Sequence, residues 1–161
     1  MRRRNSIKRA KALAHRYLNR SRYLHSLSVA EMSLALQEVW GGDRELLVKA
    51  ALLHDLGYAF GGKALTHAGI GAKRVAMLGF EPDVVSIIGC HTVGKKGMNL
   101  EEQLVFLADG IEERRNYPGV EEIRWLAFVD RTEALLSYLA STRKYLEEQG
   151  RGDDSINIVH I

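Results

Sequence analysis

The sequence predicts a single all-α domain, a bundle of about seven helices, on three observations. Apolar residues recur at helical spacing along most of the chain, breakers separate those stretches by short connections, and no convincing apolar-polar alternation marks a strand. At 161 residues, with 46% hydrophobic and 27% charged, the chain has the size and composition of one globular domain, and it holds no repeat, low-complexity tract or linker.

The elements follow in order. A first helix runs from about Asn5 to Tyr17, and a second from about Ser21 to Trp40, where Leu27, Leu34, Ala35 and Val39 share a face and Gly41-Gly42 ends it. The third starts behind Asp43, a suitable N-cap, and carries Leu46, Leu47, Ala50, Leu53 and Leu56 before Gly57. The fourth spans about Thr66 to Leu78 and stops at Gly79; the fifth spans Pro82 to about His91, with proline suited to a first turn. The sixth covers about Leu100 to Arg115. A long last helix, about Val120 to Glu148, carries Ile123, Leu126, Ala127, Leu135, Leu139 and Leu146. The terminal INIVHI reads as a candidate edge strand. Within the single domain, 1–161, the core is expected over about 16–148, with a basic helix or arm at 1–15 and a short tail at 149–161.

Charge is uneven. The first 22 residues hold nine Lys or Arg and no acid, leaving 14 basic against 20 acidic residues in the rest. No apolar segment or small-residue cleavage site follows the arginines, which argues against a targeting peptide. A solvated helix face is the simpler reading of this start; binding of nucleic acid through it is the less favoured one. The lone Cys90 excludes an internal disulfide and fits a reducing cytoplasm, and no apolar run has the roughly 18 residues of a membrane span. On an apolar helix this cysteine reads as a small buried hydrophobe.

Six polar residues interrupt otherwise apolar faces: His25, His54, Asp55, His67, His91 and Asp109. Singly, each has an ordinary explanation as a hydrogen-bonded core residue or a local cap. Together they would cost several kcal/mol to bury unpaired, whereas a shared metal centre satisfies them jointly. Neighbours on a helix point about 100° apart, so His54 and Asp55 address one ion only from a helix end, here just before Gly57. A carboxylate has two oxygens, so Asp55 is able to bridge two ions. Imidazole and carboxylate ligands without thiolate suit Fe, Mn, Co, Ni or Zn.

The order His25, His54-Asp55, Asp109 resembles the signature of the HD-domain metal-dependent phosphohydrolases, an all-helical family. The segments THAGIGA (66–72), CHTVGKKGM (90–98), LVFLADGIEERRNYPGV (104–120) and the following EEIRWLA narrow the resemblance to the bacterial branch that hydrolyses diadenosine tetraphosphate symmetrically to two ADP with two iron ions. By matching motif, the resemblance implies that His25, His54, Asp55 and Asp109 hold one metal, that Asp55 bridges to a second held by His67 and His91, and that a water ionised between them attacks phosphorus. His54 and Asp55 are then the catalytic pair, and Lys95 and Arg115 the candidates for the polyphosphate. Three departures accompany the match: Tyr58 stands where the family has lysine, the connection from Asp55 to His67 is short, and Glu113 replaces a proline. They bear on specificity more than on the ligands. Two other readings stay open, an HD phosphohydrolase for another nucleotide and a non-catalytic metal-bound or RNA-binding module. His15 and His160 fall in no matched motif and are read as structural or surface residues.

Overall fold

Helix starts follow local capping chemistry in the structure, a computed structural model that describes residues 6–150. α1 (Ile7–Tyr17) begins behind Ser6, whose hydroxyl accepts from the Arg9 amide at 3.2 Å, and α2 (Arg20–Trp40) behind Asn19, which accepts from the Arg22 amide at 2.9 Å. α3 (Arg44–Leu53) starts at the expected Asp43 cap, whose carboxylate accepts from the Leu46 amide at 3.0 Å. A 3₁₀ turn (Leu56–Phe60) follows, then α4 (His67–Met77) and α5 (Pro82–Cys90), with proline in its first turn. Asn99 and Glu102 form a reciprocal capping box at the start of α6 (Leu100–Ile111). α7 (Val120–Val129) and α8 (Arg131–Glu148) complete eight α-helices, with no strand among the described residues. INIVHI and His160 lie outside those residues.

Three elements differ from the sequence reading. The long last helix divides at Asp130, which is extended at φ −147° and whose carboxylate accepts from the Glu133 amide at 3.0 Å, so it caps α8 instead of continuing α7. Trp40 Nε1–H takes the Ala127 carbonyl near the end of α7 at 2.7 Å, which helps satisfy that terminus. The sixth helix stops at Ile111, short of Arg115. There, Arg115 Nε donates to the Asp109 carbonyl at 2.8 Å, and Arg124 donates to those of Ile111 at 2.7 Å and Glu112 at 2.8 Å. Guanidinium groups thus replace the next helical turn.

The third difference is in α2. Its buried face is Ser26, Val29, Ala30, Ser33 and Leu36, while Ala35 and Val39, expected inside, are exposed. Two serines on the packed face hid it from a hydrophobicity pattern. At the N-terminus, α1 is more than a charged arm: Ala10 and Ala14 are fully buried, and Arg9 donates to the Leu78 carbonyl at 2.9 Å.

The core sits on α3, α5 and α6, where Leu47, Leu53, Ile87, Ile88, Phe106 and Leu107 are almost completely buried. Each large side chain contributes roughly 1.5–3 kcal/mol by leaving water. Two glycines set how closely other elements approach. A Cβ at Gly57 would lie 1.9 Å from the His67 carbonyl oxygen, so only glycine lets the 3₁₀ turn touch the start of α4. A Cβ at Gly110 would lie 2.2 Å from the Tyr138 ring, so glycine seats α8 on α6 one residue beyond Asp109. No helix among the described residues is long and apolar enough to cross a membrane.

Candidate metal centre

The six polar residues picked out in the sequence converge. His25 comes from α2, His54 caps the C-terminus of α3, Asp55 follows it, His67 opens α4, His91 caps the C-terminus of α5 and Asp109 lies in the last turn of α6. His54, Asp55, His67, His91 and Asp109 are all buried, and His25 is partly exposed at the cleft.

Helix ends orient the rings. His54 Nδ1 donates to the Ala51 carbonyl at 2.7 Å, His91 Nδ1 to that of Ile88 at 2.6 Å and His67 Nδ1 to that of Lys63 at 3.0 Å. A carbonyl only accepts, so these hydrogen bonds place the proton on Nδ1 and aim the Nε2 lone pair inward. His25 is oriented by a side chain, its Nδ1 lying 3.1 Å from the buried Glu112 carboxylate.

Acceptors therefore face acceptors. Nε2 of His67 lies 2.9 Å from that of His91, Nε2 of His54 lies 3.2 Å from that of His25, and His25 Nε2 lies 2.9 Å from Asp109 Oδ1. Such lone pairs repel unless a proton or cation stands among them. Burial opposes a charge on His54, yet Asp55 and Asp109 hold its pKa up to about 9; burial and the charge of His54 push His91 down to about 4. Burial would raise both carboxyl groups. Instead His54 and His67 hold Asp55, and His25 and His54 hold Asp109, below the usual carboxylate range. The donor set suits divalent metal: His25, His54 and Asp55 form one group able to hold an ion, Asp55, His67 and His91 a second, and His54, His91 and Asp109 a third that overlaps both.

The HD domain family pattern matches residues 22–114. The chain belongs to the HD-domain family. Relatives of this HD protein include the symmetrical bis(5'-nucleosyl)-tetraphosphatase of Halalkalibacterium halodurans, 34% identical over 162 residues and covering 86% of each chain. The enzyme of the same description from Bacillus subtilis is 32% identical over 167 residues, covering 88% of each chain. Among solved structures, an HD superfamily hydrolase from Clostridium acetobutylicum, described as involved in NAD metabolism, superposes with a TM-score of 0.81 at 28% identity, covering 90% of this chain and 89% of its own.

The HD centre opens into a cleft of about 500 Å³ walled by His25, Asp55, His67 and Asp109 together with Arg22, Arg114 and Arg115. Arg115 Nη2 donates to Asp109 Oδ1 at 2.9 Å, which places this sequence-predicted residue at the mouth of the site. Lys95 does not line the cleft. Its ammonium donates to Glu102 at 2.6 Å and to Ser86 at 2.8 Å, so it neutralises the acid that caps α6. Cys90 is buried, its thiol pushed up to about 12 by burial and the nearby Glu102, in keeping with a small buried hydrophobe.

Sequence reading missed Arg22 and Glu112, and it noted Tyr58 as a departure bearing on specificity without giving it a contact. Arg22, counted there with the basic start, donates from Nη1 to Asp55 Oδ2 at 3.4 Å, and Tyr58 stacks on His67 with ring centroids 4.0 Å apart. Glu112 orients His25. Spacing offered a signal for two of them: Arg22 lies three residues before His25, and Glu112 three after Asp109, each one helical turn from a polar residue already singled out.

Proposed function

We propose that this protein is a metal-dependent phosphohydrolase that splits diadenosine tetraphosphate symmetrically into two ADP, with two transition-metal ions, iron for preference. The observation that carries the reading is the place of Asp55 among the four histidines. Its Oδ1 lies 3.3 Å from His67 Nε2, 3.5 Å from His54 Nε2 and 3.9 Å from His91 Nε2, while Oδ2 lies 4.0 Å from His25 Nε2. One carboxylate thus lies within reach of histidines of both proposed ligand sets, which supports its use as a bridge. His25, His54, Asp55 and Asp109 would hold one ion, and Asp55, His67 and His91 the other. Ions held there supply Lewis acidity and an ionised water at neutral pH.

The chain's own residues account for the rest. Nδ1 hydrogen bonds orient each imidazole with Nε2 toward the centre, and Glu112 does this for His25. Arg22, Arg114 and Arg115 line a cleft that also holds Asp55, Asp109 and Glu112, and guanidinium groups bind phosphate oxygens in a bidentate fashion. Arg115 is the polyphosphate ligand on the Asp109 side. The identity to the two tetraphosphatases over most of both chains supports the choice of substrate.

Anaerobic purification, metal analysis and chromatography of early products test this reading. ADP alone from diadenosine tetraphosphate supports it. ATP and AMP in equal amounts refute symmetric cleavage, and turnover confined to another nucleotide or to RNA moves the assignment there.

A further inference from the structure

Tyr58 lies between two planar groups. Its ring stacks on His67 at 4.0 Å with 16° between the planes, and the Arg22 guanidinium carbon lies 3.4 Å from the Tyr58 ring centroid. Two groups this close to one ring centre cannot share a face, so the order is Arg22, Tyr58, His67. Tyr58 brings no cation itself. By stacking, it fixes the charge of an arginine from α2 beside Asp55 Oδ2, 3.4 Å away, on a wall of the cleft.

We infer that Tyr58 is a positioning residue that holds Arg22 as the second phosphate clamp of the cleft, alongside Arg115. This rests on the reading that the cleft binds a nucleotide polyphosphate. Arg22 pairs with Asp55 and Arg115 with Asp109, so the two guanidinium groups stand at the two acids of the centre, each at its own carboxylate. An arginine side chain carries several rotatable bonds, and ordering it on binding has an entropic cost. A ring that already holds the guanidinium flat removes much of that cost. The arrangement also makes the place of the clamp depend on the 3₁₀ turn, so Tyr58 helps set which phosphate lies over the centre.

The test compares Tyr58→Leu, Tyr58→Phe, Arg22→Gln and the Tyr58→Leu/Arg22→Gln double variant in metal-loaded protein. ADP binding is measured by calorimetry, metal content by elemental analysis, and KM and kcat with diadenosine tetraphosphate. Tyr58→Leu and Arg22→Gln should each weaken ADP binding about ten-fold and raise KM more than they lower kcat, with metal content unchanged. Tyr58→Phe, which keeps the ring, should restore binding to within about two-fold, and the double variant should bind no worse than Arg22→Gln alone. ADP binding by Tyr58→Leu at the wild-type level overturns the inference. So does a Tyr58→Leu loss that persists undiminished in the Arg22→Gln background or is accompanied by loss of metal, since Tyr58 would then act through His67. Wild-type protein that binds no ADP and cleaves no dinucleotide overturns the nucleotide reading and this inference with it.

Discussion

Gly57→Ala tests whether the seating of α4 carries the proposed second metal position. The added Cβ would stand 1.9 Å from the His67 carbonyl oxygen and 2.8 Å from the Gly71 amide nitrogen. Both obstacles are backbone, so no side chain can swing aside, and α4 has to retreat by more than about 1 Å to reach ordinary contact distance. Overpacking of this kind costs about 1–3 kcal/mol, and a backbone clash belongs at the upper end. For a domain of this size the corresponding fall in Tm is about 6–12 °C. His67 Nε2 now lies 3.3 Å from Asp55 Oδ1, and a shift of about 1 Å far exceeds the ~0.2 Å that ligand distances tolerate. Calorimetry and elemental analysis of reconstituted protein should therefore show a lower Tm and a fall from about two ions per chain to about one. A variant that melts like the wild type and keeps its full metal content refutes the reasoning. A lower Tm with full metal content refutes the link between the α4 seat and the ion.

The remaining predictions address the ligands and their support. Asp55→Ala should lose both ions and all turnover, while His15→Ala, an exposed residue on α1, should change neither; equal losses would dissolve the proposed constellation. Glu112→Gln weakens the acceptor that holds His25 Nδ1 and should lower metal affinity about 10–100-fold in a competition titration with a chelator, with the fold retained by circular dichroism. The His54 pKa is raised from 6.5 to about 9, so its contribution to the stability of metal-free protein is complete below about 6.5 and is lost as pH rises through about 9. Metal uptake should accordingly release about one more proton per chain at pH 7.5 than above pH 9, measured with an indicator dye in weak buffer; release that is independent of pH would contradict that protonation state.

The sequence by itself determined the helical class, most helix starts and the six polar residues of the centre. Helix class follows from periodicity, which is local, and starts such as Asp43 and Pro82 follow from capping, which is local too. The polar six stood out because a buried imidazole or carboxylate is costly enough to demand a reason. Tertiary structure decided whatever depends on partners distant in sequence. The end of α6 was set by Arg124, thirteen residues beyond the Ile111 carbonyl it serves, and the buried face of α2 by packing that covers Ser26 and Ser33 with Val29, Ala30 and Leu36. Lys95 and Arg22 show the same limit for charge. Both are cations near matched motifs, yet Glu102 and Ser86 hold one outside the cleft wall, and the face of Tyr58 holds the other over Asp55. Which cation meets the site is a property of the packed elements, because a long flexible side chain goes to the acid or aromatic ring that folding brings within its reach.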